Sequence, residues 1–358
     1  MKIKSQKRPI GKKLAISILV ILVIVIVAAC SAALWYKTSL GPTNPNDNTS
    51  YTFAVSEGTT TRVIAQNLED QGLIKNAFAF RVYMRLEAED KNIRTGTYSI
   101  NKTMSVQEIV AELNKGGAKP TFRLTFLPGG TLAAARERLQ KAGYSDEDIT
   151  AAFNKQYDHP LLAGRPDGNS LEGYIYGDTY EFYVGTTVSD ILTKTFDKMY
   201  QDLQDNGLIE QFGAHGLSLY QGITLASIVQ GEAGSLKDDM PKVAQVFYNR
   251  LNSNTPLGSD IVIGYYADQQ NPDRSKTDMS YLNTTPCPWN SRRCAGLPPN
   301  PVNNPGINAL NAVANPDSNY VGYWYFLTGD DGVMYYAKTE SEHNNNIRNH
   351  CKELCKIL

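Results

Sequence analysis

Residues 14–36 carry no charge and few polar groups, and basic side chains crowd the positions just before them. An apolar run of that length is too long for one face of a globular domain. At about 1.5 Å per residue it matches a hydrocarbon core of about 30 Å, so it divides the polypeptide between lipid and water. Trp35 and Tyr36 stand where interfacial aromatics belong, and Lys2, Lys4, Lys7, Arg8, Lys12 and Lys13 mark the cytoplasmic side. The expectation is a basic cytoplasmic tail over residues 1–13, a single transmembrane helix over 14–36, and everything after it beyond the cell membrane. A rival reading takes Val27-Ala28-Ala29-Cys30 as a lipoprotein processing box with Cys30 acylated. The apolar run, however, continues through Ala32, Ala33, Leu34 and Trp35, where a mature lipoprotein would turn polar. The formal net charge is −1, and without the basic tail the remainder carries about −7, which speaks against a dedicated nucleic-acid binder.

Residues 37–50, rich in Pro, Asn, Ser and Thr and without hydrophobic periodicity, read as a stalk. Folding signals begin at residue 51. Residues 51–55 read as a strand, 60–70 as a helix with Val63, Ile64 and Leu68 inward, 77–88 as a second amphipathic helix and 96–100 as a returning strand. Ser105-Val106-Gln107-Glu108 is a capping box that opens a third helix bearing Ile109, Val110 and Leu113. Strand, two helices and strand make a compact unit over 51–118 with one helix appended, and a boundary follows near Lys119-Pro120.

Beyond that boundary Phe122, Leu124 and Phe126 alternate with polar residues as a half-buried strand. Pro128-Gly129-Gly130 then turns the chain into a helix bearing Leu132 and Leu139. Ser145 caps another helix, and residues 188–203 put Ile191, Leu192, Phe196, Met199 and Leu203 on one face. Between these lies segment 171–183, in which Tyr174, Tyr176, Tyr180, Phe182 and Tyr183 interleave with Glu172, Asp178 and Glu181. Two readings fit it. One is a sugar-binding surface with Tyr176 and Asp178 as contacts, since pyranose faces pack on rings and hydroxyls bond to carboxylates; the other is a core strand with polar edges.

Chemistry concentrates in residues 225–234, LASIVQGEAG. Leu225, Ile228, Val229 and Glu232 follow the i, i+3, i+4, i+7 spacing, so one carboxylate shares a helical face with aliphatic groups. Desolvation there disfavours the ionised form and raises the pKa, as a general acid for glycosidic cleavage requires. The structural alternative is a Glu held by an Arg or a backbone amide. A helix with Val243, Val246, Phe247 and Leu251 inward follows and ends in Asn249-Arg250-Leu251, side chains that either hold a ligand or brace the helix. A long loop is then expected from Leu257-Gly258-Ser259-Asp260 through Trp289-Asn290 to residues 296–306, its Pro and Gly content fitting either a cleft wall fixed by backbone geometry or rigidity without function. Asn249 at the end of that helix, with Asp260 and Asn290 in the loop, are the candidate substrate contacts.

Apart from Cys30 the cysteines are Cys287, Cys294, Cys351 and Cys355, an even number in a compartment where disulfides persist. Of the three pairings, Cys287 with Cys294 closes a short loop and is preferred, whereas Cys351 and Cys355 at i, i+4 on a helix would make a strained bridge. Zinc, with His350 nearby, is the alternative, but neither Cys-x-x-Cys nor His-Glu-x-x-His occurs, and no metal or other cofactor is expected.

The ordered set LASIVQGEAG, FYNRL, LGSD, GLPPNPVNNPG and YWYF, followed by Glu342-His343-Asn344, resembles the endolytic murein transglycosylase (YceG-like) family over about 300 residues. The resemblance implies an α+β chain in which 51–118 is a LysM-like module, 119–350 a YceG-like catalytic domain and 351–358 a tail. It further implies a membrane-anchored lytic transglycosylase that cuts nascent peptidoglycan strands internally, with Glu232 as acid and base and peptidoglycan synthases as partners. The chain departs from the family pattern in three places. Gln230 stands where a second Glu is common. Pro288-Trp289-Asn290-Ser291 and Arg292-Arg293, flanked by two cysteines, replace a Tyr-Asn-Thr-Tyr segment, and Pro128-Gly129-Gly130 replaces a Glu-Gly pair. One carboxyl group suffices for such an enzyme, because the muramic C6 hydroxyl rather than water closes onto C1. The rival readings are a muramidase using Asp260 or Glu172 as second carboxylate, and a non-catalytic cell-wall tether.

Overall fold

The computed structural model describes residues 10–56, 58–87, 92–118, 120–166, 168, 170–275 and 280–357. The basic residues at 1–9 and Ala88, the expected end of the second amphipathic helix, lie outside the described residues. The chain divides into two compact units, Met1–Thr121 and Phe122–Leu358.

In the first unit α1 (Ile10–Ser39) runs unbroken through Cys30 and outlasts the expected 14–36 at both ends. Its Ile16–Ser39 portion is the one helical stretch among the described residues long and apolar enough to cross a membrane, and its aliphatic side chains stand exposed. The last turn instead meets protein. The Tyr36 hydroxyl donates to Glu87 at 3.0 Å, Trp35 lies 6.4 Å from the Phe78 ring centroid, and Lys75 donates to the Thr38 carbonyl at 3.1 Å. Residues 37–50 are correspondingly not a free stalk. Leu40 is buried in the core of this unit and its carbonyl accepts from the Val106 amide at 2.9 Å, while the Asn44 amide donates to the Lys102 carbonyl at 3.1 Å. One apolar side chain, backbone bonds and side-chain contacts of Thr43, Asp47 and Asn48 lay the segment onto the fold, a signal that its polar composition conceals.

The core module follows the expected order: β1 (Tyr51–Val55), α2 (Thr61–Asp70), α3 (Ala77–Leu86), β2 (Gly96–Ile100) and α4 (Val106–Lys115). The strands pair antiparallel with Tyr51 opposite Ile100 and Val55 opposite Gly96. Thr60 and Asn76 cap α2 and α3, and Ser105 with Glu108 forms the capping box of α4. Inward residues of every element, among them Phe53, Leu68, Phe80, Ile100 and Ile109, close a single core.

The second unit begins with β3 (Thr121–Thr125), α5 (Leu132–Lys141), α6 (Asp146–Asn154) and β4 (Thr179–Tyr183), with β4 paired to β3. Burial alternates along β4, Tyr180 and Phe182 pointing inward, so segment 171–183 is a core strand entered by buried turns rather than an aromatic surface. Next come α7 (Val188–Asp205), α8 (Leu208–Ala214), α9 (Leu219–Ala233) and α10 (Met240–Asn252). The long loop expected after α10 contains instead α11 (Asp260–Gln270) and the short α12 (Tyr281–Thr284). Helix α11 has almost no amphipathic signal; it forms because Val262, Ile263 and Ala267 are buried by tertiary packing. After α13 (Ile307–Ala314), a hairpin of β5 (Tyr325–Thr328) and β6 (Met334–Ala337) leads to α14 (Glu340–His350).

Helix α9 is the axis of this unit, packed by α8, α10, α11 and α13, and every residue from Gly222 to Gln230 is buried. It is a core helix rather than a striped one. Its polar side chains are paired: the Ser227 hydroxyl donates to the Thr224 carbonyl and accepts from the Val302 amide, and Gln230 accepts from the Gly306 amide. Both cysteine pairs are bridged, with Cα atoms 6.0 Å apart for Cys287–Cys294 and 5.4 Å for Cys351–Cys355. The second bridge corrects the expectation. Helix α14 stops at His350 and Cys351 leaves the helical conformation, so the two cysteines do not share a helix and their thiols are consumed in the bond.

Candidate active site

Glu232 lies in the last turn of α9, which Gly234 terminates at a φ of 55°. A Cβ at the preceding Gly231 would lie 2.8 Å from Ile261 Cγ2, so α11 approaches α9 here only because the residue is glycine. The rim of Glu232 reaches solvent, but its carboxyl is surrounded by protein, and the Ser259 hydroxyl donates to Oε1 at 2.5 Å. Desolvation pushes the carboxyl up to about 7, and the nearby Asp260 acts in the same direction. The Ser259 hydrogen bond and the Arg250 charge act against it. Near neutrality a large fraction of Glu232 therefore holds its proton.

Glu232 opens onto a cavity of about 390 Å³ shared with Arg250, Asp260, Arg292, Tyr325 and His343. A second cavity of about 890 Å³ adjoins it at Asp260, and a third of about 710 Å³ meets the second at Gly129 and Gly231. The three form a groove that passes the end of α9. The Pro-Gly-Gly turn, the 171–175 segment and the Asn-Pro-Gly loop are tied beside it by Asn304. Its Oδ1 accepts from the amides of Gly173 at 3.0 Å and Ile175 at 2.9 Å, and its Nδ2 donates to the Gly130 carbonyl at 2.7 Å.

Of the residues singled out from sequence, Glu232 and Asp260 come together. Asp260 opens α11 and is gripped by Arg292 through two bonds, Nε to Oδ1 at 2.6 Å and Nη2 to Oδ2 at 2.7 Å. Asn249 does not face the groove chemistry. Its Nδ2 donates to the carbonyls of Tyr320 at 3.0 Å and Tyr323 at 2.8 Å, and its Oδ1 accepts from Gln245 at 2.9 Å, so the amide is spent on a loop. Asn290 is fully buried, donating to Leu282 and Thr285 carbonyls and accepting from the Arg292 amide; it builds the turn that presents Arg292. Tyr176, 3% exposed, is a core residue whose edge borders the third cavity, and exposed Asp178 sits at that cavity's rim, apart from the cavity of Glu232. Glu172 is enclosed completely. Burial pushes it up to about 7, and both its oxygens accept from the Leu132 amide at the start of α5, so no substrate or water in the groove reaches it.

Sequence left Arg250 open between ligand contact and helix brace and showed His343 and Ser259 only within motifs, and the structure gives each a place. Arg250 spends its guanidinium on wall carbonyls, those of Trp324 at 2.8 and 2.5 Å, Leu257 at 2.7 Å and Pro256 at 3.2 Å, and burial holds its pKa below the usual arginine value. His343 stacks on Tyr325 at 5.1 Å, and burial together with Arg250 pushes it below the ordinary histidine value, so it is neutral at pH 7. Ser259, one position before Asp260 in LGSD, was legible only as part of a motif. The expected tail also proves to be a wall. Cys351, Leu354 and Cys355 line the cavity of Glu232, and the Asp330 carboxylate accepts from the amides of Lys352, Glu353 and Leu354.

The model of the YceG-like family matches residues 53–349. The chain is 27% identical to the endolytic murein transglycosylase of Bacillus subtilis, covering 87% of this chain and 88% of that protein. It is 28% identical to the endolytic murein transglycosylase of Streptococcus pneumoniae serotype 2, covering 95% of this chain but 65% of that protein, so it spans about two thirds of the latter's length. A crystal structure of a yceG-like protein from Listeria monocytogenes superposes with a TM-score of 0.53 at 26% identity, covering 83% of this chain and 99% of that one.

Proposed function

The chain belongs to the YceG-like family, and from that premise we propose that it is an endolytic peptidoglycan lytic transglycosylase. It cuts between N-acetylmuramic acid and N-acetylglucosamine within a glycan strand and leaves a 1,6-anhydromuramic end, in keeping with the names of its relatives. The observation that carries this reading is one acid, Glu232, pushed up to about 7 by burial and opening onto a cavity whose other carboxylate among the described residues, Asp260, is bound by Arg292. Glu232 donates its proton to the bridging oxygen as the bond to C1 breaks. The resulting carboxylate takes the proton of the muramic C6 hydroxyl, whose oxygen closes onto C1. Asp260, held by Arg292, supplies fixed negative charge beside the electron-poor carbon. A muramidase would need a second carboxylate for water, yet Glu172 is enclosed and Asp260 is already paired.

A groove extending beyond the acid suits a polymer bound at an internal site. In the same reading α1 is a single-pass anchor in the cell membrane with residues 1–13 cytoplasmic. Residues 51–118 are a LysM-like module that holds glycan, residues 119–350 carry the catalysis, and peptidoglycan synthases supply the strands. The test is mass spectrometry of glycan strands digested by wild type and by Glu232→Gln. Wild type yields anhydro ends about 18 Da lighter than reducing ends, because no water is added, and the variant yields none. Reducing ends from wild type would make the enzyme a muramidase, and binding without cleavage would make it a tether.

A further inference from the structure

We propose that Ser259 is a positioning residue for this reaction: its hydroxyl occupies Oε1 of Glu232, so that the transferable proton resides on Oε2, and it holds the carboxylate while that proton is away. The proposal rests on Glu232 being the acid. Ser259 precedes the first residue of α11 with extended backbone, φ −94° and ψ 114°, the position at which a serine ordinarily accepts from an amide two or three residues on. It makes no such bond. Its hydroxyl is turned away from its own helix and donates to Glu232 at 2.5 Å. The surroundings fix that direction: Ser259 is 1% exposed, its carbonyl accepts from the Ser291 hydroxyl, and the Gly258 amide donates to the Ser291 carbonyl at 2.7 Å. A helix that forgoes its cap so that one hydroxyl reaches one carboxyl oxygen has a local cost without a local return.

The chemistry explains the arrangement. A neutral carboxyl has one oxygen that carries hydrogen and one that only accepts. With Oε1 accepting from Ser259, the hydrogen sits on Oε2. That proton passes to the glycosidic oxygen, which keeps the electron pair of the broken bond to C1. Oε2 then receives the proton released by the C6 hydroxyl as its oxygen bonds to C1, so the residue ends as it began. Ser259 keeps its own hydrogen throughout and stabilises the intervening anion. The other charged or titratable groups facing this cavity are Arg250 on α10, Asp260 on α11, Arg292 on the loop after α12, Tyr325 on β5 and His343 on α14. All remain when Ser259 is changed. Among the influences on Glu232, the Ser259 hydrogen bond is the strongest that opposes desolvation.

The experiment measures the rate of anhydro-end formation from pH 5 to 9 for the full-length chain in detergent, as wild type, Ser259→Ala, Ser259→Thr, Ser259→Gly and Glu232→Gln. Ser259→Ala is expected to lower the rate tenfold or more and to move the alkaline limb of the profile to higher pH, because the anion has lost its donor. Ser259→Thr, which keeps the hydroxyl, restores rate and limb together. Ser259→Gly, well tolerated at a helix N-cap, gives the same alkaline displacement as Ala and stands in for it if Ala does not fold. An unmoved limb in the Ala or Gly variant, whether the rate falls or not, overturns the role of Ser259. Activity surviving in Glu232→Gln overturns the assignment of the acid instead, so the two failures are distinguishable.

Discussion

Replacing Glu232 by Gln should make the protein more stable at neutral pH while abolishing turnover, and the size of the gain is set by burial. The carboxyl is pushed from 4.5 to about 7 in the folded chain. Between those values the folded state binds more protons than the unfolded state, so stability falls as pH rises through the window. One pKa unit corresponds to about 1.36 kcal/mol, so wild type forfeits roughly 3 kcal/mol by pH 8 relative to a chain with no titrating group at this position. Gln does not titrate, has nearly the same shape, and its carbonyl still accepts from Ser259. The difference between variant and wild type should be smallest near pH 4.5, grow by about 1.4 kcal/mol per unit and level off above pH 7. For a unit of this size that is a rise in melting temperature of about 6–12 °C at the plateau. Glu172 titrates in the same window but is present in both chains and cancels. Calorimetric melts of the detergent-solubilised chain from pH 4.5 to 8.5 read the effect directly. A difference that is flat with pH, or that grows toward acid, would refute the account of Glu232 as a desolvated acid.

Asn249→Ala removes the partner of the Tyr320 and Tyr323 carbonyls and should cost about 1–3 kcal/mol of stability; kinetics at low temperature should show an unchanged KM, since the amide braces a loop and does not bind glycan. Gly222→Ala would place a Cβ 2.4 Å from the ring of the fully buried Phe212, and thermal melts should show a loss of about 1–3 kcal/mol from overpacking between α8 and α9.

How much of this was legible depended on the range of the interaction. The first unit was readable almost element by element, because its helices are amphipathic and carry caps at Thr60, Asn76 and Ser105 that act within a turn. Helix α11 was not readable, because burial of Val262, Ile263 and Ala267 against a neighbour replaces any periodic signal of its own. Asn249 and Asn290 looked like ligand contacts for a related reason. An amide's donors and acceptors are visible in the chain, but whether they are spent on distant carbonyls is not. The bridge between Cys351 and Cys355 likewise depended on where α14 ends.

Residue order alone determined that a membrane-length apolar helix precedes the folded units, that one acid shares a helical face with aliphatic side chains, and that a YceG-like motif set surrounds it. These are properties of composition, spacing and local hydrogen bonding. Tertiary structure decided what that acid meets: Ser259 from another helix on one oxygen, Arg250 spent on wall carbonyls, Asp260 bound by Arg292, and a disulfide-closed turn as a wall of its cavity. The proton affinity of Glu232 is the sum of desolvation and charges brought from segments far apart in the chain, and such a sum exists only once those segments have been folded together.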